Sequence, residues 1–150
     1  NDPATTESYS RSLQDALPIC QLLLIFADLD DFKHINDSWG HAEGDLALIE
    51  TAEALRRTFR GSDIIARLGG DEFVVVAVDP GGVSSDTVTV RLRDNLHVFN
   101  AQAGRPYRLS LSTGTMRFEP SNSVSILELL ARVDEAMYQE KRSRRRQLSG

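Results

Sequence analysis

With 150 residues, 41% of them hydrophobic and 26% charged, the chain falls within the usual size range for one buried core. Its net charge of -5 argues against a general nucleic-acid surface, although Arg142, Arg144, Arg145 and Arg146 form a local cationic tail. The sole cysteine, Cys20, excludes an internal disulfide and reads as a small apolar residue; no apolar run reaches the roughly 18 to 20 residues of a membrane span. With no signal-peptide pattern at its start, the sequence predicts a single cytoplasmic domain over residues 1–150.

In chain order, the segment up to about residue 17 predicts an irregular or helical start. Leu22-Leu-Leu-Ile-Phe-Ala predicts a strand near 21–28 that ends in Asp28, Asp30 and Asp31, followed by Lys33 and a short turn-rich helix. From Asp45 the stripe Leu48, Ala52, Leu55, Phe59 has helical spacing, and Asp45 has the composition of a cap for that helix. Two apolar strands, near 63–68 and 72–78, flank Gly69-Gly70 and predict a β-hairpin, because glycine accepts the positive φ of a tight turn. Beyond the Pro80-Gly-Gly-Val-Ser-Ser loop come a helix near 85–102 and a strand near 107–117 with Tyr107, Leu109, Leu111 and Thr113 on one face. That alternation makes Ser112 a sheet residue rather than a nucleophile. A last helix carries Ile126, Leu129, Leu130, Val133 and Met137, and the whole order predicts an α+β domain with helices covering a mixed sheet.

Chemistry concentrates at two acidic clusters. Asp28 and Asp30 would project to one face if the first strand persists, with Asp31 opposite. Asp71 and Glu72 follow Gly69-Gly70, whose bare backbone lets a phosphate chain approach. Either cluster alone would be a solvated turn. Together, Asp28, Asp71 and Glu72 make a hard oxygen-donor set suited to magnesium, because grouped carboxylates are costly without a cation. His34, His41 and His97 have no ligand-spaced partners, and His41 reads as a packing or hydrogen-bonding residue.

The series Asp28-Leu-Asp-Asp-Phe-Lys33, Ile35-Asn-Asp37, Gly40-His41, Gly44-Asp45, Gly69-Gly-Asp-Glu-Phe73, Ser112-Thr-Gly114 and Asp134-Glu-Ala-Met-Tyr138 with Lys141 resembles, in order and over nearly the whole chain, the GGDEF family of bacterial diguanylate cyclases. The resemblance implies a nucleotide-cyclase or polymerase-palm-like sheet with the signature on a hairpin beside the Asp28 strand end. It implies condensation of two GTP molecules to cyclic di-GMP with release of two pyrophosphates, dependent on Mg²⁺ or Mn²⁺. Asp28, the Leu29 carbonyl and Asp71 then stand at the metal positions, with Glu72 a metal ligand or an aid to deprotonating the attacking hydroxyl. Asn36 and Asp45 match the pair that reads guanine, while Gly69 and Gly70 border the phosphates and Lys33, Lys141 and Arg145 resemble the cations that hold them. Arg60-Gly-Ser-Asp63, nine residues before Gly69, fits the family's RxxD product-inhibition motif, which Arg91 would complete from the next helix.

The resemblance also implies a homodimer, since one domain carries one nucleotide, and a sensory domain elsewhere in a larger protein. The family's opening segment, D-x-L-T-G-L-x-N-R, is retained here clearly only at Asp2 and Thr5. Arg144 and Arg146 stand where the family commonly has Gly and Asn. The alternative is a non-catalytic receptor for cyclic di-GMP or GTP on the same fold.

Overall fold

A computed structural model describes residues 21–79, 84–119 and 124–148, with the backbone alone at Asp79, Arg144, Arg145, Gln147 and Leu148. The expectations for the opening segment, for Cys20 and for Pro80 to Val83 lie outside the described residues. The elements run β1 (Gln21–Leu29), α1 (Phe32–Trp39), α2 (His41–Thr58), β2 (Ile64–Gly69), β3 (Glu72–Asp79), α3 (Ser85–Gln102), β4 (Leu111–Phe118) and α4 (Ile126–Leu148). The described strands form one sheet in the order β2-β3-β1-β4. The α+β architecture is as expected, but every pairing among these strands is antiparallel, so the expected mixed character of the sheet is corrected for the described part.

β1 is central and buried on both faces, which is why its sequence is a continuous apolar run. Leu23, Ile25, Ala27 and Leu29 face one core with Ile35 of α1, Leu48 and Leu55 of α2 and Leu92 of α3. Leu24 and Phe26 face the other, against Leu129, Val133 and Met137 of α4. Asp28 shares the parity of Leu24 and Phe26 and so points toward α4. The helix is drawn tightly onto β4 at Gly114, where a Cβ would lie 2.3 Å from the Val133 carbonyl oxygen and 2.7 Å from the Met137 nitrogen.

Two boundaries depart from the sequence reading. α2 begins at His41, with Gly40 at φ 90° as the single residue between it and α1. Asp45 therefore lies inside the helix and does not cap it. β4 begins at Leu111 rather than near residue 107, because the Leu109 backbone is engaged by a side chain: Asn100 Nδ2 donates to the Leu109 carbonyl at 2.9 Å, and Leu109 N–H donates to Asn100 Oδ1 at 2.8 Å. Further along this edge, Thr113 N–H donates to Glu140 Oε2 of α4 at 3.1 Å. Among the described residues no helix is long and apolar enough to cross a membrane.

Candidate active site

The β2–β3 hairpin turns through Gly70 and Asp71, and Gly70 takes the left-handed φ of 50° that favours glycine. The register shifts between Arg67 and Gly69, a bulge that twists the tip. Arg67 Nε braces the turn by donating to the Gly70 carbonyl at 2.9 Å. The tip is tied to the end of β1 by Leu29 N–H donating to the Asp71 carbonyl at 3.0 Å, and Asp28 stands directly opposite Glu72 in the ladder. The two acidic clusters, separate in sequence, therefore meet.

α4 supplies their counter-charge. Leu129, Val133 and Met137 recur every fourth residue along the buried stripe, and the next position on it is Lys141. Its Nζ donates to Asp28 Oδ1 at 2.7 Å. Burial alone would lower the Lys141 pKa, but the bond to Asp28 and the charges of Asp28, Asp30 and Asp71 outweigh it and the net shift is upward. Burial and the Asp28 charge push the Asp71 carboxyl up; burial, then Asp28, Asp71 and Asp134, push up Glu72.

Asp30 does not continue the strand as expected. It sits in the turn after β1, where Ser112 Oγ donates to its Oδ1 at 2.6 Å and Ser110 Oγ to its Oδ2 at 2.8 Å. Asp31, with a φ of 57°, precedes α1 and is exposed. Among the described residues no three acid, histidine or cysteine side chains are already gathered to hold one ion. The donor chemistry nevertheless fits a hard divalent cation: Asp28 stands beside Asp71 and Glu72, whose carboxyls burial and the Asp28 charge push up, and the Lys141 ammonium neutralises part of that charge.

Lys33, Asp71 and Lys141 line a common cleft of about 420 Å³. Asp45 lines a second, of about 490 Å³, with Leu48, Arg67 and Phe73. Asn36 is adjacent in space, since a Cβ on Gly44 would fall 1.8 Å from its Oδ1. The structure thus brings Asn36 beside Gly44-Asp45, and the second cleft borders the hairpin through Arg67. Arg67 went unassigned in the sequence reading, although it opens the signature segment. His41, expected to pack or bond, is exposed. The Arg145 side chain lies outside the described residues.

Arg60 and Asp63 form a separate turn, in which Arg60 N–H donates to Asp63 Oδ2 at 2.8 Å and Asp63 N–H to the Arg60 carbonyl at 3.0 Å. α3 runs antiparallel to α2: Asn95 Nδ2 donates to Thr58 Oγ1 at 2.9 Å, the Arg57 guanidinium lies over Phe99, and Arg105 beyond α3 reaches back to Glu50. Arg91, one turn before Asn95 and exposed, consequently lies toward the Arg60 end of α2.

This arrangement, an acidic β1 end against a Gly-Gly-Asp-Glu hairpin, is that of a nucleotide-cyclase-like domain. The family described as "Diguanylate cyclase, GGDEF domain" matches residues 4–147, and the chain belongs to it. It is 36% identical over 122 residues to the probable diguanylate cyclase DgcC of Escherichia coli, covering 81% of this chain and 33% of that protein. The chain thus spans about a third of that relative's length. The crystal structure of the GGDEF domain of PA1120 (YfiN or TpbB) from Pseudomonas aeruginosa is 37% identical, with a TM-score of 0.67 over 95% of this chain and 91% of that one. A microbial GGDEF domain whose structure describes its interaction with cyclic di-GMP is 30% identical, with a TM-score of 0.66 over 93% of this chain and 86% of that one.

Proposed function

We propose that the chain condenses two GTP molecules into cyclic di-GMP, releasing two pyrophosphates. The observation that carries this reading is the meeting of Asp28 with Asp71 and Glu72 across the β1–β3 ladder, with Lys33 and Lys141 on the same cleft. A domain that only received a nucleotide would have no need to keep carboxylates whose ionisation burial and mutual repulsion oppose.

In this reading Asp45 accepts from the guanine N1–H and 2-amino donors and Asn36 bonds the purine edge, a pattern adenine does not match. Lys33, Lys141 and Arg145 draw the triphosphate over Gly69 and Gly70. Asp28, Asp71, Glu72 and the Leu29 carbonyl would hold Mg²⁺ or Mn²⁺, which would supply Lewis acidity at the 3'-hydroxyl and the departing pyrophosphate. Lys141 then exchanges Asp28 for a phosphate oxygen as its charge partner. Glu72, with its pKa already raised, is suited to receive the hydroxyl proton.

Each chain offers one nucleotide cleft, so the product forms between two chains facing one another. Arg60, Asp63 and Arg91 form a second site for cyclic di-GMP and give product inhibition; their gathering at one end of the α2–α3 pair supports it. Cytoplasmic location and control by an attached sensory domain belong to the same reading; the second is supported by a relative of which the match covers only 33%.

The test is incubation of concentrated protein, stripped of carried-over cyclic di-GMP, with GTP and Mg²⁺, and chromatography of the products. Cyclic di-GMP and pyrophosphate should appear in a ratio of one to two. Asp71→Ala should abolish both while leaving the far-UV circular dichroism unchanged; normal turnover in that variant would sink the assignment. Cyclic di-GMP binding without turnover in the wild type would mark a receptor.

A further inference from the structure

The α1–α2 elbow that carries Lys33, Asn36 and Asp45 is not fixed by its own caps. Asp31 before α1 makes no side-chain capping bond, and the helices are joined by Gly40 alone, at φ 90° and ψ 164°, whose N–H donates to the Asn36 carbonyl at 2.9 Å. A junction held by one main-chain bond and no side-chain cap depends on tertiary contacts for its angle.

Those contacts come from the segment between α3 and β4. The buried Tyr107 hydroxyl faces both the Glu43 backbone carbonyl, at 3.2 Å, and Glu43 Oε2, at 3.0 Å, in the first turn of α2. The residues after Glu43 are Gly44, against which Asn36 packs, and Asp45. The Tyr107 ring lies 5.2 Å from that of Trp39, the last residue of α1, so one side chain touches both arms of the elbow. Two turns along α2, the buried Arg105 guanidinium sets its Nη2 2.7 Å from Glu50 Oε2 and lies over the Tyr107 ring. Three residues after Tyr107, Ser110 Oγ donates to Asp30. The same short segment therefore holds α2 at one end and the acidic turn at the other.

We propose that Tyr107 is a positioning residue for base recognition: its hydroxyl fixes the elbow so that Asn36 and Asp45 present a guanine-reading edge in register with the acidic hairpin. This deepens the proposed function and rests on it. Tyr107→Phe keeps the ring against Trp39 and Arg105 and removes only the hydroxyl, so it separates alignment from folding.

The experiment is calorimetric binding of a non-hydrolysable GTP analogue and its ATP counterpart to this chain with Mg²⁺, alongside steady-state turnover. Tyr107→Phe should weaken the guanine analogue by about three- to tenfold, the scale of one hydrogen bond, with no loss for the adenine analogue. KM for GTP should rise while kcat stays within about twofold. Glu43→Gln, which keeps a side-chain acceptor oxygen, should bind like the wild type; Glu43→Ala, which leaves the hydroxyl only the main-chain carbonyl of residue 43, should shift base preference in the same direction as Tyr107→Phe but by less. Should Tyr107→Phe fail to fold, the two Glu43 variants decide the matter. Unchanged discrimination in a folded Tyr107→Phe, or a fall in kcat alone, overturns the inference. A wild type that neither binds the guanine analogue nor turns over GTP defeats the proposed function instead.

Discussion

Asp71 and Glu72 sit in the folded chain with carboxyl pKa values raised above their ordinary 3.8 and 4.5, by burial first and by Asp28 second. A raised folded-state pKa means stability that is fully present below the unfolded value and is lost as pH rises through the folded one. As pH rises these acids therefore work increasingly against the fold. In protein freed of divalent ions, Asp71→Asn should raise the thermal midpoint at pH 7, and the gain should vanish below about pH 4, where the wild-type carboxyl is protonated too. Added Mg²⁺ should stabilise the wild type more than the variant. Melting curves across pH, with and without the metal, check this; an equal or lower midpoint for Asp71→Asn at pH 7 would refute it. The acids themselves were legible in the sequence because Gly69-Gly70-Asp71-Glu72 and the Asp28 strand end are contiguous motifs. The Lys141–Asp28 bond was not, since it joins residues 113 apart. The every-fourth-residue march of Leu129, Val133 and Met137 held the missing clue, for one more turn brings Lys141 to the sheet face.

Elements with a strong apolar period were well foreseen: β1, the hairpin, α3 and α4 fall within a few residues of the sequence reading. The two misplaced boundaries have separate physical causes. At α2 a single glycine lets one helix follow another, where the sequence pattern suggested a longer turn. At β4 the Asn100 amide stands in for a strand partner at Leu109, so the alternation of Tyr107, Leu109 and Leu111 continues beyond the ladder. The backbone-to-backbone meeting of α4 and β4 at Gly114 carries its own prediction. Gly114→Ala should cost about 1–3 kcal/mol, because the new methyl meets helix backbone rather than a side chain that could move aside. Urea denaturation would read the loss; an unchanged midpoint would show that α4 shifts freely.

For the whole molecule, two layers of helices on one sheet bring the two acidic clusters together at the end of β1, a juxtaposition the family resemblance implied and periodicity could not. Pattern alone yields an α+β sandwich, but not which strand ends lie together. If two such chains close around two nucleotides, specific activity should rise with protein concentration at saturating GTP and then level off. A dilution series of initial rates would show it, and a flat profile over several decades would mean that one chain acts alone or that the pair never separates.

The outer side of β4 bears on how such a pair could form. Where three main-chain groups at and just before its start would otherwise invite another strand, Asn100 and Glu140 have already answered them with side chains. A sheet plugged in this way resists growing sideways into a continuous ribbon with its neighbour. Encounter through opposed faces leaves the partners free to part, so the output of the domain can follow whatever brings the two faces together.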